Sequence, residues 1–316
     1  MLNKLSRRWN RFFFTPDAAE NLAICRILFY GGLLALHAHV KFAAWGETSA
    51  IFWMPIRTYE MLGIPQLSPD LLAWLSITWK IALLLSCLGL LTRVAALVSF
   101  VGGFFLLGLP HSMGDLSHGD AAAVLILGVL IFARSGDALS LDQVLWRKSH
   151  APSGEYRWPV RAVWLILSTV FFAAGYAKFV SGGWEWALSD NMAFILAEHQ
   201  FPPEHPEAML PWGTWMARQP WVYKGAGLAT LLVETGYPLA MFSLAARFVL
   251  VPAMVLSVIG FRVLLGPAFL PLILCHVFWI RWWPEPKRQG LQVTNVNSIS
   301  KLGKGSSDRL TQFTRN

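Results

Sequence analysis

The sequence predicts an all-α fold, a polytopic bundle of about eight transmembrane helices with both termini on the cytoplasmic side. Three observations predict it. Hydrophobic residues fill 55% of the 316 positions and charged residues only 14%, whereas a soluble domain carries charge at roughly a quarter of its positions. The apolar residues also come in blocks, several long enough to cross ~30 Å of hydrocarbon at ~1.5 Å per residue. Lys and Arg, finally, gather in alternate connections between those blocks, which is the charge bias that sets membrane orientation. A mean hydropathy of +0.48 and 16 Trp suit a chain whose indoles sit at the lipid–water boundary.

The first segment, residues 1–19, carries Lys4, Arg7, Arg8 and Arg11 and reads as a basic cytoplasmic leader to the bundle. Spans then fall near 20–44, 71–91, 94–110, 119–134, 160–181, 224–244, 246–263 and 265–283. The first block is too long for a signal-peptide core and no small-residue cleavage site follows it, so it reads as a retained span. Only Leu264 or so separates the last two spans, beside Gly266-Pro267. That dipeptide suits a helical hairpin or a broken helix.

With the N-terminus inside, the inner connections collect most of the 26 basic residues: the leader, then Arg93, then Arg134, Arg147, Lys148, Arg157 and Arg161, then Arg247 and the C-terminal run. The longest outer loop, 182–223, holds Arg218 alone against Glu185, Asp190, Glu198, Glu204 and Glu207. Its prolines and tryptophans suggest a segment folded back over the outer mouth or lying in the interface. Residues 284–316 lose the hydrophobicity and read as a disordered basic tail.

Several function classes drop out. The net charge of +8 is spread between spans rather than along one soluble face, so nucleic acid is not an expected partner. Cys25, Cys87 and Cys275 each lie within an apolar stretch, without the spacing of a disulfide framework or a zinc site. There is no internal repeat, no phosphate-binding loop and no separate soluble domain.

Ionisable residues inside the spans carry the functional reading, because a charge near the bilayer centre costs at least a few kcal/mol and needs a partner or a purpose. Lys80 in span two and Glu234 in span six both lie ~14 Å from the outer ends of their spans. Their opposite signs and matched depths suit an ion pair between the two helices, or a proton or substrate path. Lys178 stands three residues from the outer end of span five, in Phe171-Phe-Ala-Ala-Gly-Tyr-Ala-Lys-Phe179. It reads either as a lysine snorkelling outward or as a partly desolvated amine usable as a base. Ala173, Ala174, Gly175 and Ala177 permit a close helix neighbour beside it. His37 and His39, Arg262, and the pair His111 and His118 reach the same outer level. A metal held by His111, Asp115, His118 and Asp120 is a rival, although their loop has no defined ligand geometry. Arg26, near the inner boundary, reads as a snorkelling or helix-pairing residue.

Three stretches in order carry a resemblance. They are Leu22-Ala-Ile-Cys-Arg-Ile-Leu-Phe-Tyr-Gly-Gly32, then His118 followed by a span and Asp137-Ala-Leu-Ser-Leu-Asp142, then Phe172-Ala-Ala-Gly-Tyr-Ala-Lys178 with Gly183-Trp184. Together, over about residues 15–283, they resemble the HTTM domain, the membrane domain of vitamin K-dependent gamma-carboxylase-like proteins. The resemblance implies that Lys178 is the base that starts oxygenation of a reduced quinone, that His118 is an active-site residue, and that the site faces outward. Two departures bear on it. The chain closes on a short basic tail where the carboxylases carry a large extra-membrane domain, so propeptide docking of that kind is not expected. Arg262 also stands where many relatives have histidine.

Three functions remain open at this point. One is a quinol-dependent oxidoreductase or carboxylase-like enzyme of a bacterial-type inner membrane, with a vitamin K-type quinol entering from the bilayer. Another is a non-catalytic partner or assembly factor for a periplasmic or membrane protein. A transporter using Lys80 and Glu234 is the third, disfavoured by the lack of repeats. DoxX-like membrane oxidoreductases are the nearest alternative fold.

Overall fold

The computed structural model describes residues 2–114, 119–147, 149–201, 208–266 and 269–285. The expected tail, 284–316, lies outside them but for its first two residues. Among the described residues every regular element is helical, and the one isolated backbone bridge joins Asp17 to Ser153.

The chain opens with the amphipathic helix α1 (Leu2–Phe14), which exposes Arg7, Arg8 and Arg11 and buries Phe13. Helix α2 (Ala19–His37) then threads the middle of the bundle, burying Leu22, Phe29, Tyr30 and Leu33 completely. Short helices α3 (Ala43–Gly46) and α4 (Arg57–Leu62) carry the chain across one end. Tyr59 of α4 is fully buried there, and its hydroxyl donates to the carbonyls of Phe104 and Phe105 at 2.9 and 2.6 Å. Each of those helix carbonyls has a second lone pair to accept it, so the bonds fasten α4 to the last turns of the 92–108 helix.

Helix α5 (Pro69–Leu88) begins with the Ser68 cap and Pro69, and stops at Gly89, whose φ is +71°. A side chain at 89 would run into Ser140 and come within 2.9 Å of an Arg26 nitrogen, so both the left-handed turn and the crowding require glycine. Helix α6 (Thr92–Gly108) packs back along α5, and α7 (Gly119–Phe132) along α6. The cap of α6 comes from another segment. Asp142, in α8 (Leu141–Leu145), accepts from the backbone N–H groups of Leu91 and Thr92 at 2.9 Å and from the Thr92 hydroxyl at 2.7 Å.

Helix α9 (Trp158–Gly182) is the longest; α10 (Glu185–Leu188), α11 (Asn191–Glu198) and α12 (Gly213–Ala217) follow it. Helix α13 (Pro220–Gly236) packs against α9 and leads into α14 (Leu239–Phe242), α15 (Leu244–Leu265) and α16 (Leu270–Cys275). A tight turn, His276–Trp279, ends the bundle.

Five described stretches are long and apolar enough to cross a membrane: Ala19–His37, Pro69–Leu88, Thr92–Met113, Gly154–Gly182 and Leu244–Leu265. Their outward faces are apolar. Trp74, Ile77 and Ile81 of α5, Val94 and Val101 of α6 and Phe248 and Leu256 of α15 all stand exposed. Only 11% of the most apolar window in α15 is buried inside the protein. Water would not tolerate that surface, whereas lipid solvates it. The remaining expected spans are shorter or interrupted. Gly119–Phe132 has 14 residues, 224–244 divides at Pro238 into α13 and α14, and the last is six residues of α-helix followed by a 3-10 turn.

One end of the bundle is rich in arginine and holds both ends of the described chain. Asp17 lies 2.8 Å from Arg281 and 3.5 Å from Arg157, and the Asn21 side chain accepts from the Trp282 backbone at 2.9 Å. At this end the Tyr156 hydroxyl donates to Asp137 at 3.1 Å, beside the 2.7 Å ion pair of Asp137 with Arg134. Arg26 is fully buried, and its guanidinium donates to the carbonyls of Ser135, Ala138 and Leu139. It does not snorkel. The 135–139 turn supplies the acceptors that water would otherwise supply.

Candidate functional site: a lysine–glutamate pair between two helices

Helices α9 and α13 approach closely at Gly175. A side-chain carbon at 175 would lie 2.8 Å from the Thr235 backbone nitrogen and 2.9 Å from Glu234 Cβ. Glycine therefore lets the two backbones meet, and one turn further along α9 Lys178 faces Glu234. Its ammonium donates to both carboxylate oxygens, at 2.7 and 2.9 Å. The Glu234 side chain is 6% exposed and that of Lys178 26%. The pair is electrically neutral as a unit, which is how a carboxylate can be held so deep.

The fold-back segment closes over it. The Trp186 ring of α10 lies 5.6 Å from the Lys178 nitrogen. Gly227 of α13 lets α10 pack tightly, since a side chain there would meet the Ala187 carbonyl at 3.0 Å. Tyr223 donates to Asp190 at 2.6 Å, and the Gln200 amide donates to Leu210 and Leu264 carbonyls, tying Asp190 to α13 and Gln200 to α15. On the open side of α9, Phe172, Tyr176 and Phe179 form an exposed aromatic row beside Lys178.

Beneath the pair lies a buried polar layer. The Tyr237 ring packs 4.8 Å from Phe171 and 6.1 Å from His276, with Trp279 5.8 Å away. His276 is held by Nδ1 at 2.7 Å from the Leu272 carbonyl. His276 Nε2 and the Ser168 hydroxyl make no hydrogen bond to another described protein group.

The structure redistributes the residues expected from sequence. Lys80 and Glu234 do not pair. Lys80 donates to the carbonyls of Ala38 and Val40 at 3.1 and 3.0 Å, just past the end of α2, where a cation suits the helix C-terminus. Equal depth from hydropathy is misleading here because α13 starts at Pro220 and first runs beside α10, beyond the end of α9. Glu234 is thus deep in its own helix yet level with Lys178. His37 is a packing residue, with Nδ1 2.9 Å from the Leu33 carbonyl and its ring against Phe42 and Trp79. Arg262 closes its own helix by donating to the Gly266 carbonyl. His118 and Asp115 lie outside the described residues. Of the small residues on α9, Gly175 makes the close crossing, while Ala173 and Ala177 stand exposed.

Sequence reasoning missed the true partner of Lys178, the Trp186 cover and the Tyr237–His276 layer. A signal existed. Ser168, Phe171, Gly175 and Lys178 recur at helical spacing and mark one inward face of α9.

No family model, curated protein or solved structure matches the chain.

Proposed function

We propose that this chain is an integral protein of a bacterial-type inner membrane, with about eight crossings and both termini in the cytoplasm, acting as a quinol-dependent, carboxylase-like oxidoreductase at Lys178. The Lys178–Glu234 pair carries the reading. An ammonium bound by both oxygens of a carboxylate becomes a base once it passes its proton to that carboxylate. The products, an amine and a carboxylic acid, are both uncharged, and the proton stays within the pair. The free amine of Lys178 then takes the proton of an acidic hydroxyl presented beside it. A reduced quinone, when bound, would supply that hydroxyl and the reducing electrons for oxygen.

The surroundings fit such a group. Phe172, Tyr176 and Phe179 offer an apolar aromatic approach from the lipid, and Trp186 shields the pair from water at the end of the bundle. His118 enters on the family resemblance as the group that stabilises developing charge.

The test uses purified protein, a reduced naphthoquinone and oxygen. Wild type should consume the quinol, while Lys178→Ala and Glu234→Gln should not. Undiminished turnover in a folded Lys178→Ala protein removes the lysine from the mechanism. A second reading, a non-catalytic membrane partner or assembly factor, is favoured by Phe194, Trp212, Trp215 and Trp221, all exposed on the fold-back segment and the start of α13. It requires that substitutions there abolish function while Lys178→Ala preserves it.

A further inference from the structure

We propose that Arg161, with the rings of Trp164 and Phe12, forms a site for the phosphodiester of an anionic phospholipid at the arginine-rich end of the bundle. This inference is independent of the Lys178–Glu234 reading.

Arg161 lies in the first turn of α9. Its guanidinium carbon sits 3.8 Å from the Trp164 ring and 4.7 Å from the Phe12 ring of α1. Arg247 of α15 sits over the same Trp164 ring at 4.0 Å, and Trp279 stacks on that indole with centroids 4.3 Å apart. Aromatic faces hold a guanidinium by its plane. They offer nothing to its N–H edge. Arg247 satisfies its edge on the carbonyls of Ala240 and Met241 at 3.1 and 3.4 Å. The Arg161 side chain makes no hydrogen bond and no ion pair with another described residue, and it is half-buried rather than sealed from the surface. Five donors are thus held in place without an acceptor.

The local field asks for an anion. The charges acting on Arg161 include the guanidinium groups of Arg157, Arg247 and Arg281 and the carboxylate of Asp17. Asp17 already lies 2.8 Å from Arg281 and 3.5 Å from Arg157. Guanidinium groups gathered this closely repel one another where water is scarce. A phosphodiester offsets that repulsion and matches the fork of Arg161 with two oxygens.

The position selects the source of the phosphate. Helix α1 has the pattern of an interfacial helix, with Arg7, Arg8 and Arg11 exposed and Phe13 inside. Its Phe12 bridges Arg161 to Phe242, whose ring centroid is 6.0 Å away. Beyond it Phe242 and Phe248 are 77% and 73% exposed, an apolar track of the kind acyl chains cover. Headgroup and chain sites adjoin, which favours a membrane lipid over free phosphate.

The experiment uses the full chain in neutral detergent, with bound lipid counted by native mass spectrometry. Phosphatidylglycerol should bind at least tenfold more tightly than phosphatidylcholine. Arg161→Gln should lower phosphatidylglycerol affinity about tenfold, while Arg93→Gln, an equal charge change elsewhere, should leave it unchanged. Inorganic phosphate at millimolar concentration should not displace the lipid; displacement would assign the site to a free anion instead. Equal binding by wild type and Arg161→Gln, or an equal loss in Arg93→Gln, overturns the proposal. Should Arg161→Gln fail to fold, Arg161→Lys is measured in the same way. It keeps the charge and loses the fork, so a threefold or greater weakening supports the site and undiminished binding overturns it.

Discussion

Lys178 and Glu234 lie 56 residues apart in sequence, yet the lysine nitrogen stands 2.7 and 2.9 Å from the two glutamate oxygens. Gly175 brings their helices together and Trp186 covers them. A charge pair of this kind is sensitive to the loss of either member, because the survivor is left buried and uncompensated. Glu234→Gln should therefore cost about 3 kcal/mol of stability, the lower end of the range for a buried pair, since Lys178 is partly exposed. The double replacement Lys178→Met/Glu234→Leu should recover most of that loss. Unfolding in detergent measures both; additive losses in the double variant would mean that the groups do not interact.

The crossing at Gly175 should tolerate no larger side chain. Gly175→Val places carbon against the Thr235 backbone and Glu234 Cβ, and overpacking of this kind costs about 1–3 kcal/mol. It should also abolish quinol consumption, because the pair is forced apart. Ala177→Val, on the exposed face, should change stability by no more than about 0.5 kcal/mol. Equal effects at both positions would refute the close approach.

Asp142 caps a helix that begins 50 residues earlier. Asp142→Ala removes three acceptor contacts from the start of α6 and should lower stability by about 2 kcal/mol, the upper end for a helix cap. Thermal unfolding should show Asp142→Asn losing less, because one oxygen remains. An unchanged midpoint for Asp142→Ala would show that the cap is idle.

Lys80 separates the transport reading from the present one. Lys80→Met should lose about 0.5–1 kcal/mol of helix-end stabilisation and leave quinol turnover intact. Abolished turnover in a stable Lys80→Met protein would place the lysine on the functional path.

Topology can be checked by labelling. With the native cysteines replaced, Ser189→Cys on the fold-back segment should react with an impermeant maleimide in intact cells. Ser6→Cys in α1 should react only after permeabilisation. The reverse pattern would invert the proposed orientation.

The helical membrane class was legible from the sequence, because apolar length and charge placement are local properties that lipid reads directly. Lys178 drew notice in the sequence for its position three residues inside a span among small neighbours. Its partner was not legible. Depth counted along each span matched Glu234 with Lys80, since hydropathy marks where a helix is apolar but not where it begins relative to its neighbours. The unaccepted donors of Arg161 were equally invisible, because a positive residue at a span end looks the same whether it meets water, a carboxylate or an aromatic face.

Taken alone, then, the residue order determined that this chain folds as lipid-exposed helices and named the few charges that must be explained within them. Tertiary structure alone decided how those charges are neutralised: Glu234 went to Lys178, Lys80 to the end of α2, and Arg26 to the carbonyls of the 135–139 turn. The reason is physical. Burying a charge is costly everywhere in the bundle, but the group that offsets the cost depends on which backbones approach within a few ångströms, as Gly175 lets α9 and α13 do at the Lys178–Glu234 pair.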